Sequence, residues 1–196
     1  MKTILIVLLS LFGIAGDQIP PFQLIQEDDG ASCFRHTVQD SKGDEVKLPK
    51  RVKKGLDCPY SIGLHGVFLS YVVDLEVRLY NLETQEDHLL FTLYDDIDGF
   101  SSPAWTKDGR KVTYVVINQE QNHGYKSFCR IVYCELKEDG ALLKKRKFDR
   151  PVNFECGSIC SAEPEVDFMF DEADQLIYRN HVMYTDGEEI WDPIEL

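Results

Sequence analysis

Three aspartates crowd into Tyr94-Asp95-Asp96-Ile97-Asp98-Gly99. Clustered carboxylates suit a hard cation such as Ca²⁺, which takes about six to eight oxygen ligands. The stretch is not an EF-hand, because its first position would be Tyr94 and its twelfth Trp105. A solvated turn ahead of a strand is the plainer reading of the same residues. Asp95, Asp96 and Asp98 are therefore the candidate cation or ligand site, and no cofactor other than Ca²⁺ is expected.

The second chemical feature is the set of six cysteines: Cys33, Cys58, Cys129, Cys134, Cys156 and Cys160. The C-x4-C and C-x3-C spacings resemble zinc ligands, but an exported chain favours disulfides, so all six are expected to be oxidised. Cys129 and Cys134 are an odd number of residues apart in one strand-like run and face opposite sides of it, so they should not pair with each other. Connectivity stays open. The five histidines, His36, His65, His88, His123 and His181, are scattered without ligand spacing. No nucleophile elbow, H-E-x-x-H or P-loop occurs, so no catalytic residue is assigned.

Export is read from Met1 to Gly16: Lys2, an apolar run from Ile4 to Ile14, then the small residues Ala15-Gly16. The run is short of the roughly 20 residues a bilayer span needs, and no other stretch approaches it. The expected location is periplasmic or secreted. A formal charge of −13 over 196 residues repels phosphate backbones and makes nucleic acid a poor partner. Two basic clusters, Lys47–Lys54 and Lys144–Lys147, run against that charge. They suit an anionic glycan or a lipid head group, or else solvated strand ends.

The elements that must position these residues are strands. Leu69-Ser70-Tyr71-Val72-Val73 returns 43 residues later as Val112-Thr113-Tyr114-Val115-Val116, and Leu176-Ile177-Tyr178 is a third copy. That spacing is about one four-stranded propeller blade. Glu76 to Leu82 alternates polar and apolar residues, and Asp108-Gly109 is a strong hairpin turn. Residues 17–30 read as an extended lead-in, and 33–38 with 45–48 as a hairpin. Ala141 to Phe148 reads as an outer strand whose Lys/Arg density resists pairing with other chains. No sustained helical period appears. The expectation is one all-β domain over 31–196, an array of antiparallel blade sheets, with units near 62–93, 101–148 and 163–191.

Pro103-Ala104-Trp105-Thr106-Lys107-Asp108-Gly109-Arg110-Lys111 resembles the Tol-B-type β-propeller repeat, with Thr106-Lys107 where that repeat has Ser-Pro. The resemblance covers about Ile62 to Trp191, with one close copy and two degenerate ones. It implies that Trp105 fills the space between blades, that Asp108 and Gly109 make the turn, and that Tyr71, Tyr114 and Tyr178 repeat one packing position. It also implies that the loop holding Asp95, Asp96 and Asp98 enters an innermost strand at a channel mouth.

The length allows four blades at most, closed as a small ring, left as an open stack, or paired with another copy. The N-terminal hairpin is expected to join the C-terminal strands. The functional expectation is a non-enzymatic binding or scaffold module, with another protein or an envelope glycan as partner. The alternatives are a hydrolase or lyase using the channel acids, and a truncated remnant acting through homo-oligomerisation.

Overall fold

The computed structural model describes residues 20–27, 34–57, 59, 61–93, 99–117, 127–152, 168–180 and 190–195. Two of the three repeat units form a sheet of four or more strands, and the third forms a smaller one. β3 (Ile62–His65), β4 (Phe68–Val73), β5 (Glu76–Asn81) and β6 (Asp87–Thr92) make an antiparallel meander in chain order. The second sheet has β11 (Leu142–Val152), β10 (Ser127–Leu136) and β9 (Lys111–Ile117) side by side. Its fourth position is divided between β7 (Gly99–Phe100) and β8 (Ala104–Trp105), both paired with β9. β12 (Phe168–Phe170), β13 (Leu176–Asn180) and β14 (Ile190–Pro193) form the third sheet.

The N-terminal part departs from the expected hairpin. β1 (Phe22–Glu27), within the supposed lead-in, pairs in register with β2 (Arg35–Asp40). The turn at Asp40 to Gly43 forms, but its return strand is only a Gln39–Glu45 bridge. The first basic cluster then becomes α1 (Lys50–Leu56), so this stretch is helical and not a strand end. Pro49 leads into it, and Val52, Gly55 and Leu56 bury one face at helical spacing. Seven residues are too few for that period to stand out in sequence. Among the described residues β1 and β2 remain a sheet of their own and do not join the C-terminal strands. Phe22 and Leu24 pack instead into the apolar cluster beside α1 and β4, which is where their burial is available.

Three apolar layers hold these pieces together. Val38, Val52, Leu56, Leu69, Tyr71 and Tyr80 fill the space between the N-terminal layer and the first sheet. Val77, Leu79, Leu90, Phe91, Val112, Tyr114 and Val132 fill the space between the first and second sheets. Val115, Ile131, Phe168, Leu176 and Ile194 join the second sheet to the third. Neighbouring residues of one strand point to opposite faces, so each sheet serves two layers. The described residues form an all-β, propeller-like array of face-packed antiparallel sheets with one short helix.

Candidate functional site

The repeat motif lies where the first two sheets meet. In the hairpin between β8 and β9, the Asp108 carboxylate accepts hydrogen bonds from the Thr106 hydroxyl (2.7 Å) and the Arg110 amide (2.9 Å). Those two donors hold its pKa below the usual carboxylate range. Gly109 closes the turn at φ 68°, and its α-carbon lies against the His65 ring. A side chain there would be both strained and crowded.

That contact belongs to a stack. The Trp105 ring lies parallel to His65 at 5.4 Å between centroids and to Phe68 at 6.4 Å. Trp105 comes from the second sheet and its two companions from β3 and β4, so the indole occupies the space between adjacent sheets. Its buried Nε1 has no hydrogen-bond partner among the described residues. Burial lowers the His65 pKa, with the Lys107 backbone and the Asp108 charge pulling the other way.

The three repeat tyrosines each face back toward the preceding layer. Tyr71 lies in the layer against α1 and β2, Tyr114 in the layer against the first sheet, and Tyr178 in the layer against the second. Tyr71 packs so closely on α1 that Gly55 has no room for a β-carbon. Tyr114 is wholly buried, its hydroxyl 2.6 Å from that of Ser70. Burial pushes its pKa far up and keeps it a neutral phenol.

A charge network joins α1 to the first sheet. Arg78 donates through Nε to both Asp87 oxygens, at 3.0 and 3.1 Å, and through a terminal nitrogen to Glu76 at 2.6 Å. Asp87 also accepts from the Tyr71 hydroxyl at 2.9 Å, and Glu76 from Arg51 of α1 at 2.6 Å. The only sequence signal was the alternation of Glu76 and Arg78 across a hairpin from Asp87. The network fastens helix to sheet and leaves Arg78 little exposed.

Asp95, Asp96 and Asp98 lie outside the described residues. Their flanks are placed: β6 ends with Thr92 opposite Glu76, and β7 begins with Gly99 opposite Ile117. Cys33, Cys58, Cys156 and Cys160 also lie outside the described residues, as does the Cys129 side chain. Cys134 corrects the disulfide expectation at its own position, for it is a free thiol. It points into the layer between the first two sheets, where burial pushes its pKa up to about 12. Among the described residues no three His, Cys, Asp or Glu side chains converge as metal ligands. No described helix is long and apolar enough to cross a membrane.

No protein-family model matches the chain, and no curated protein matches it. Oligogalacturonate lyases are among the solved structures that the chain matches. An oligogalacturonate lyase in complex with manganese matches 89% of this chain and 47% of its own, at 12% identity and a TM-score of 0.51. An oligogalacturonate lyase from Vibrio parahaemolyticus matches 87% of this chain and 58% of its own, at 11% identity and a TM-score of 0.41. The chain spans about half the length of these proteins. The first likeness extends to the fold alone.

Proposed function

We propose that this chain is an exported, non-enzymatic binding or scaffold module built on a Tol-B-like propeller repeat. The observation that carries this reading is the use made of the motif. Trp105 lies against His65 and Phe68 of the neighbouring sheet, Asp108 accepts bonds within its own turn, and Tyr114 is buried against Ser70. These residues join blade to blade. The repeat thus acts as architecture, and recognition falls to the edges and loops it holds in place.

The test sets binding against turnover. The purified mature chain is incubated with oligogalacturonate and a panel of other glycan and ester substrates, with and without Mn²⁺ or Ca²⁺. The expected result is no bond cleavage. Turnover that disappears in Asp96→Asn or Asp98→Asn would overturn the reading and make the acidic loop a lyase or hydrolase site. Turnover surviving both substitutions would equally overturn it.

A further inference from the structure

We infer that the outer edge of β11 is a docking site for an extended acidic peptide, which adds to the second sheet as a further strand. β11 runs for 11 residues at the end of the strand order, and among the described residues β10 alone pairs with it. Strands are typically about five or six residues long, so this open edge is long. Leu143 is 60% exposed, and Lys144, Lys145, Arg146 and Lys147 are exposed as well. No described carboxylate forms an ion pair with Lys144, Lys145 or Arg146.

Geometry selects the occupant. Lys144 and Arg146 point to one face, opposite Glu135 and Tyr133, while Lys145 points to the other, opposite Cys134. Cations on one face therefore recur about every 6.8 Å, the period at which an added antiparallel strand presents its own side chains. A strand carrying carboxylates at alternate positions would meet them directly, while its backbone uses the edge's outward amides and carbonyls. Lysines on an edge discourage neutral and basic strands. The same charges admit an acidic one, so repulsion and attraction together set the choice. The chain's own charge of −13 favours a partner reaching this basic strip rather than the surface at large.

This inference extends the binding-module reading. Its test reads binding and is blind to turnover, so either can fail alone. Fluorescence anisotropy of the full chain would use a labelled octapeptide of alternating Glu and Val. Matched controls are its Lys-Val counterpart, a version N-methylated at alternate amides, and heparin.

The Glu-Val probe is expected to bind and the Lys-Val probe not. Lys144→Glu with Arg146→Glu should weaken binding about tenfold or more, whereas Lys145→Gln, on the face where the probe presents Val, should weaken it less than about threefold. N-methylation should weaken it similarly. Both variants alter exposed side chains, and matching melting curves would confirm that they fold. Unchanged affinity in the folded double variant, Lys144→Glu with Arg146→Glu, would overturn the inference. So would full binding of the N-methylated probe, or heparin binding as tightly, since either would make the strip a backbone-independent polyanion site. A dimer in sedimentation velocity, lost in the same variants, would assign the edge to a second copy and also overturn it.

Discussion

The hydroxyls of Ser70 and Tyr114 lie 2.6 Å apart in the interior, joining two sheets from positions 44 residues apart. Ser70 comes from the first copy of the repeat and Tyr114 from the second, so the repeat makes its own blade-to-blade bond. Each hydroxyl is the other's remedy for burial. Tyr114→Phe or Ser70→Ala alone should cost about 1–3 kcal/mol by stranding a buried polar group. The double variant should cost clearly less than the sum, because nothing is then left unpaired. Urea unfolding of the four proteins measures the cycle. Simple additivity would show that the two hydroxyls do not depend on each other.

Thr113 occupies the position equivalent to Ser70 one unit later, and its buried hydroxyl has no hydrogen-bond partner among the described residues. It is 1% exposed, so water does not reach it freely. Thr113→Val should therefore stabilise the protein by about 1 kcal/mol, contrary to the usual cost of this exchange. A fall in the urea midpoint would mean that the hydroxyl has a partner after all.

Trp105 stacks against His65 and Phe68 of the neighbouring sheet, and Trp105→Ala should cost about 3–5 kcal/mol through the cavity it leaves. Against a typical stability of about 5–15 kcal/mol, that loss lowers the yield of folded protein. Asp98→Ala should leave the melting temperature unchanged within a few degrees. The reverse ranking would make the acidic loop a structural ion site.

Acid should loosen the junction at His65 before it affects the carboxylates. Burial depresses the folded pKa of His65, and of His36 in β2, below the ordinary 6.5. The unfolded chain therefore takes up these protons first as pH falls. Stability is full above pH 6.5, declines below it, and levels off once the folded pKa is passed. Asp108, also depressed, shifts the balance the same way in a separate range below 3.8. Thermal melts from pH 8 to 4 should show the first decline, reduced in His65→Phe, which keeps a ring over Trp105. An unchanged slope in that variant would assign the acid sensitivity elsewhere.

Cys134 is fully buried, with its thiol pKa pushed up to about 12. The thiolate is the reactive form, so the peptide carrying Cys134 should stay unlabelled by a maleimide in the native protein and react fully in denaturant. Mass mapping of tryptic peptides reads this directly. Recovery of Cys134 in a disulfide-linked peptide would reverse the assignment.

Sequence by itself determined the strands and turns of the repeat units. The alternation in Glu76 to Leu82 and the Asp108-Gly109 hairpin are local signals, set by backbone sterics and by which face of one strand is apolar. The spacing of Tyr71, Tyr114 and Tyr178 likewise marked units that the structure folds as successive sheets. What covers each face was decided only in three dimensions. Phe22 and Leu24 read as part of an extended lead-in, and only β2 and α1 give them a layer to enter. The face of α1 carries just Val52, Gly55 and Leu56, too short a period to read without Tyr71 above it. Cys134 is inert because the first sheet lies over it, and Arg78 meets Asp87 because a hairpin folds back. Burial and pairing belong to two surfaces at once, and one strand's sequence specifies only its own.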